Sequence, residues 1–215
     1  MTRQELTLLV SKGEGLYLEF KKKVDHPEKI VKEIVAFVNA SGGRLLIGVD
    51  DDGTISGLKN AEEEAFELEK TIIKLCRPSI KYSLEKIPLN EKKQILVYSF
   101  KESRKKPHYV IQDLKTGLGK AYFRVEDRSI QASKELRQIL KGRRFKRRIK
   151  FEFSAKERIL MQYLDQKEKI TVKEFMEIAS ISYKLASSTL IALVLSNVLI
   201  IRPDEKEDYY LIKDH

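Results

Sequence analysis

The chain contains no tryptophan, a single cysteine and five prolines in 215 residues. One cysteine cannot close an intrachain disulfide, and the three histidines are dispersed, so a disulfide scaffold and a Cys/His zinc site are both excluded. No apolar run reaches membrane-spanning length. The longest, residues 185–201, is interrupted by Ser187, Ser188, Thr189, Ser196 and Asn197 and reads as a buried helix followed by a strand. The opening MTRQELTLLV has no apolar stretch with a small-residue cleavage site, as a secretion signal would. These absences predict a cytoplasmic protein with no membrane partner. A phosphate-cradling Gly-x-x-x-x-Gly-Lys-Ser/Thr is missing too. Gly117-Leu-Gly-Lys-Ala121 lacks the hydroxyl that holds Mg²⁺, so ATP is not an expected cofactor.

What is present is charge, unevenly placed. The formal net charge is +10. Residues 1–100 carry 16 Lys/Arg against 16 Asp/Glu and cancel; residues 151–215 carry 9 against 11. Residues 101–150 carry 17 against 5, so the positive field belongs to one segment. A localised basic block suits a polyanion, and nucleic acid is the expected partner; the plain alternative is a solvated basic surface.

The hydrophobic spacing predicts an α+β chain with a mixed sheet. Asp25-His-Pro-Glu28 supplies a cap, an early proline and an acidic residue for a helix, along which Ile30, Val31, Ile34, Val35, Phe37 and Val38 form an apolar face. Gly42-Gly43 ends that helix. A strand at 44–49, an Asp-Gly turn and a second short strand at 54–58 follow, then a helix over 61–76. Further strands are predicted at 80–87, 95–100, 108–112 and 121–125, and a short helix at 133–140. The segment KGRRFKRRIK (141–150) has seven basic residues in ten and reads as a linker or arm. Beyond it, Ser154-Ala-Lys-Glu157 and Thr171-Val-Lys-Glu174 are capping boxes, each opening a helix. A third helix over 181–196 and a hairpin around PDEKED complete a pattern similar to a winged helix-turn-helix. The expected division is therefore 1–141, a linker at 142–152, and a small winged-helix domain at 153–215.

Two short stretches carry candidate chemistry. In EGLYLEFKKK (14–23), Glu14 and Glu19 face opposite sides of a regular strand and converge only if the chain turns or bulges, which Gly13 and Gly15 make easy. With an acid from the cluster Asp50, Asp51 and Asp52 they would form an oxygen-rich pocket suited to Mg²⁺ or Mn²⁺, with Lys21 nearby as compensating charge. On spacing alone, two surface glutamates beside a lysine run explain the stretch as well.

YLEFKKK (17–23), IVAFVNASGGRLLIGVDDDGTISGL (34–58) and KAYFRVEDRSIQASKELRQIL (120–140) together resemble the Schlafen AlbA-type domain, in order and over roughly residues 8–141. The resemblance implies nucleic-acid binding, with two functional alternatives. One is a metal-dependent endoribonuclease acting on structured RNA such as tRNA, whose three acids fall on Glu14, Glu19 and, as the direct continuation of the strand, Asp50. Its Mg or Mn would be held by those three, with Lys21 assisting, and a homodimer would supply the second half of the RNA cradle. The other is a non-catalytic DNA-binding regulator. The candidate backbone contacts are Lys22, Lys23, Lys101, Arg104, Lys105, Lys106, Arg124, Arg128, Arg143, Arg144, Lys146, Arg147 and Arg148.

Overall fold

A computed structural model describes residues 1–144 and 153–213. The chain forms two compact units, Met1–Gln131 and Ala132–His215. It is an α+β protein with seven helices among the described residues, and no single helix there is long and apolar enough to cross a membrane.

The first unit is built on a four-stranded mixed sheet. A helix α1 (Arg3–Val10), closed by a Thr2/Glu5 capping box, precedes β1 (Leu18–Lys21). Helix α2 (Pro27–Asn39) leads into β2 (Gly42–Ile47), and α3 (Ala61–Leu75) into the two-residue β3 (Cys76–Arg77). Then come β4 (Tyr82–Asn90), β5 (Lys93–Lys101), β6 (Tyr109–Ile111), β7 (Gly119–Lys120), β8 (Tyr122–Val125) and β9 (Arg128–Gln131). The sheet order is β1-β2-β5-β4, with β1 parallel to β2 and the other pairs antiparallel.

Strand periodicity decides what each face meets. Leu45 and Ile47 of β2 pack with α2 and α3, whereas Leu46 turns to the other face and packs with Leu6 and Val10 of α1. On β1, Leu18 and Phe20 share the α1 face. Glu19 and Lys21 are therefore left on the α2 face. The apolar stripe of α2 is fully enclosed, each such Ile, Val or Phe contributing about 1.5–3 kcal/mol.

The second unit holds α4 (Lys134–Arg144), α5 (Ala155–Gln166), α6 (Val172–Ile178), α7 (Tyr183–Leu195) and the antiparallel pair β10 (Leu199–Arg202) and β11 (Tyr209–Ile212). Both predicted capping boxes form, at Ser154/Glu157 and Thr171/Glu174. Ile170 bridges Tyr210 through two backbone hydrogen bonds, adding a third short segment to the hairpin.

Several elements differ from the sequence pattern. The helix after Pro27 is capped by His26 without a side-chain bond; Asp25 instead pairs with Lys23 at 2.9 Å. Residues 54–58 make only isolated bridges, Val49 to Ile55 and Leu58 to Gln94, because positive-φ Gly53 and Gly57 keep bending that segment. The pattern does not predict α1 or β9. Helix α4 falls in the second unit rather than before a boundary at 141, since Ile139 packs with Leu190 and Leu193 of α7.

Candidate nucleic-acid interface

The two glutamates of EGLYLEF do come near one another, by a turn rather than a bulge. Gly13 takes a positive φ and Gly15 bridges back to Leu18, so Glu14 lies alongside the strand it precedes. Its Oε1 accepts the Phe20 N–H at 2.7 Å. The Glu14 carboxyl is held above the ordinary carboxylate range by partial burial; the Phe20 bond pulls it down, and the charges of Glu19 and Asp51 push it further up.

Glu19 is 7% exposed and points to the α2 side, where it meets a fully enclosed guanidinium. Arg124 of β8 is 1% exposed and spends its donors internally. Nη2 reaches Glu19 Oε2 at 2.7 Å and Gly15 O at 2.9 Å, and Nη1 reaches Glu33 Oε2 at 2.9 Å and Ser129 Oγ at 3.3 Å. The guanidinium also lies 4.9 Å from the Phe37 ring centroid. Lys21 donates to the other Glu19 oxygen and to Phe20 O. Glu33 is a member of this cluster that the pattern of α2 hides, because an acid on a helix reads as solvent-facing. Burial raises its pKa, partly offset by the Ser129 bond, and Glu19 raises it again.

Asp50 stands apart from this group in its bonding. It accepts from Lys22 Nζ at 2.9 Å and from Ser56 Oγ at 3.0 Å. Asp52 closes the turn by accepting the Thr54 N–H at 2.8 Å, which holds its pKa low, so turn chemistry accounts for that acid. Both Glu19 oxygens, both Asp50 oxygens and one Glu14 oxygen are thus engaged by protein donors. Among the described residues no three His, Cys, Asp or Glu side chains are grouped to hold a metal ion. As placed, Glu14, Glu19 and Asp50 do not fit Mg²⁺ or Mn²⁺.

The basic candidates divide sharply. Arg124 cannot grip a nucleic-acid backbone, because burial and two carboxylates consume it. Lys22 and Lys23 pair with Asp50 and Asp25. Lys106 donates to Glu102 and to Ala40 O, each at 2.6 Å, and so braces the end of α2. Lys101, Arg104 and Lys105 are exposed, and no acid among the described residues pairs with them. Arg128, Arg143 and Arg144 are exposed as well. Lys146, Arg147 and Arg148 lie outside the described residues.

Two polar residues are structural. Asn39, the last residue of α2, is buried: its Nδ2 donates to His108 O and Tyr122 O, each at 2.9 Å, and its Oδ1 accepts the His108 N–H at 2.7 Å. The His108 ring is held between Pro78 O and Ser103 Oγ. In the second unit, Ser187 of α7 is buried and donates to Glu135 at 2.7 Å, leaving Tyr183, Lys184 and Ser188 as the exposed polar positions on that helix's outer face.

Residues 14–133 match the family model described as Schlafen, AlbA_2. No curated protein matches the chain. Among solved structures, the chain is similar to the N-terminal domain of a RecG-related protein from Nitrosomonas europaea, at 22% identity and TM-score 0.45, covering 58% of this chain and 88% of that one. It is also similar to the DIP2311 protein from Corynebacterium diphtheriae, at 16% identity and TM-score 0.42, covering 62% of this chain and 31% of that one.

Proposed function

The chain belongs to the Schlafen AlbA_2 family, and on that footing we propose that it is a nucleic-acid-binding protein whose first unit captures the polyanion on its unpaired cations. The observation that carries this reading is the exposed set Lys101, Arg104 and Lys105, left without acid partners among the described residues while adjacent Lys106, and Lys22 and Lys23 elsewhere in the unit, are paired with acids. A solvated surface gains nothing from leaving adjacent like charges unpaired; a phosphate chain neutralises them and releases its own counterions.

Cleavage of structured RNA such as tRNA by a metal held on Glu14, Glu19 and Asp50 is the finer reading of the same unit. Its support is that the charges of Glu19 and Asp51 add to the rise that burial gives the Glu14 pKa, which puts both acids near Glu14. Against it, the acids are already occupied by Arg124, Lys21, Lys22 and Ser56, so no step is assigned to a metal. For the second unit we propose a winged helix-turn-helix: the α6 and α7 axes turn by 114° across a short connection, and the hairpin follows as the wing. The outer face of α7 offers Lys184 as its one cation. The outer face of α7 is therefore given no part in holding the polyanion.

The test is to incubate the full chain with labelled tRNA and with duplex DNA in Mg²⁺, Mn²⁺ or EDTA. The expected result is binding that weakens steeply with salt, at about 0.7–0.9 decades of affinity per decade of salt for each phosphate neutralised, with the nucleic acid intact. RNA cuts that require Mg²⁺ or Mn²⁺ and disappear in Glu14→Gln would overturn the non-catalytic reading. Salt-insensitive binding, or none, would overturn the binding reading itself.

A further inference from the structure

The first unit has a cleft of about 770 Å³ at the end of the sheet where β2 and β4 begin and β5 ends, closed by the last residues of α1 and the turn before β1. Its volume is in the range of about 300–1,000 Å³ usual for small-ligand sites. Its walls have an uncommon composition. Lys12, Arg44, Lys81 and Lys101 all line it and are all exposed, and no ion pair among the described residues engages any of them. The one acid in the lining is Glu14, so cations outnumber acids there by four to one.

At the rim stands Tyr17, a large aromatic that is 57% exposed although it sits in a tightly fixed turn. The turn holds its backbone from both sides: Tyr17 O accepts the Arg44 N–H at 2.8 Å, and Gly15 N–H donates to Leu18 O at 3.0 Å. A ring on such a fixed backbone loses little freedom when something stacks on it. Four unpaired cations say that the occupant is a polyanion; an open aromatic face beside them says that it also carries a flat apolar surface.

We propose that this cleft binds an unpaired nucleotide segment, one base stacked on Tyr17 and the flanking phosphates on Lys12, Arg44, Lys81 and Lys101. A duplex keeps its base faces stacked on each other and has none to offer, so the ligand is a single strand or an unpaired loop. The proposal rests on the nucleic-acid-binding reading above and specifies where and in what form the ligand sits. It also gives a role to Lys101, the last residue of β5 and the first of the cationic stretch, which lines the cleft.

The experiment uses the full chain and a short single-stranded oligonucleotide with 2-aminopurine in place of one base. Stacking on tyrosine quenches that fluorophore, and each base–aromatic stack lost costs about 5- to 150-fold in affinity. Tyr17→Ala is expected to abolish the quench and weaken single-strand binding within that range; Tyr17→Phe keeps both. Lys12→Gln with Arg44→Gln is expected to flatten the salt dependence by about 0.7 for each contact removed. A duplex of the same sequence is expected to bind without sensitivity to Tyr17. If the wild type binds but Tyr17→Ala and the double glutamine variant behave like it, the cleft proposal fails and the general reading stands. If the wild type binds neither form, both fail. Competition by poly-glutamate equal to that of the oligonucleotide would also overturn it, since an acidic peptide has the charge but no base.

Discussion

Arg124→Met is the most informative single perturbation of the first unit. Methionine keeps an unbranched apolar stem and removes the guanidinium, together with its contact over the Phe37 ring. That leaves Glu19 and Glu33 without their shared cation, and the carbonyls of Gly15 and Leu18 without a donor they now share. Breaking a buried ion pair from one side costs about 3–5 kcal/mol, because the surviving charge stays desolvated. The two carbonyls keep their backbone partners, Gly15 N–H on Leu18 O at 3.0 Å and Leu18 N–H on Gly15 O at 3.4 Å, so no separate cost for an unsatisfied carbonyl is added. Partial relief comes from Lys21, still beside Glu19, and from protonation of Glu33, whose pKa burial already raises. About 3 kcal/mol is therefore the expected loss. At a urea dependence of about 2 kcal/mol per molar, the midpoint should fall by about 1.5 M. Because two units unfold in one chain, hydrogen exchange of the α2 and β1 amides should accompany the urea curve, reading the first unit by itself. Arg124→Lys should also lose stability, since one ammonium cannot bridge both carboxylates and reach Gly15. A change below about 0.5 kcal/mol, with nucleic-acid affinity lost instead, would refute the assignment of Arg124 as an internal tie and restore it as a ligand contact.

Two further outcomes follow from the same geometry. Gly42 has φ +80°, and a Cβ there would lie 2.5 Å from Phe100 O, so Gly42→Ala should cost at least about 2 kcal/mol by chemical denaturation. Gly13→Ala, also at positive φ but with nothing within 4 Å, should cost only about 1 kcal/mol. In the second unit, Asp208 has its pKa raised, chiefly by burial, with Ser133 and the Asp204 N–H pulling it down and Glu135 adding to the rise. A carboxyl whose folded pKa lies above its unfolded one contributes stability at low pH that is lost as pH rises through that window, with a slope of at most about 1.4 kcal/mol per pH unit. Asp208→Asn should therefore flatten the decline in stability of this unit from about pH 4 upward; an unchanged pH profile would show that Asp208 is not its source.

Elements whose signals are local can be read from the order of residues alone. The 3.6-residue stripe from Ile30 to Val38, Pro27 at a helix start and the capping boxes at Ser154 and Thr171 each have a physical reason contained within a few residues, and each forms; the paired glycines do not end α2, which stops at Asn39 with Ala40 as its cap, but open β2. The AlbA_2 segment was legible in the same way, through spaced strand and turn residues. Where the charges end up depends on contacts between residues far apart in the chain. Glu19 and Arg124 are 105 residues apart, and nothing local distinguishes an arginine that will be enclosed by two carboxylates from one left for a phosphate. The same holds for Glu33, and for Lys106 against Lys105 beside it, of which one braces α2 and the other faces solvent. The cleft joins residues from α1, β2, β4 and β5, so its four cations and Tyr17 form a set only once the strands are paired. A residue's type fixes which interactions are open to it; its partners are set by the long-range contacts that bury one charge and leave its neighbour exposed.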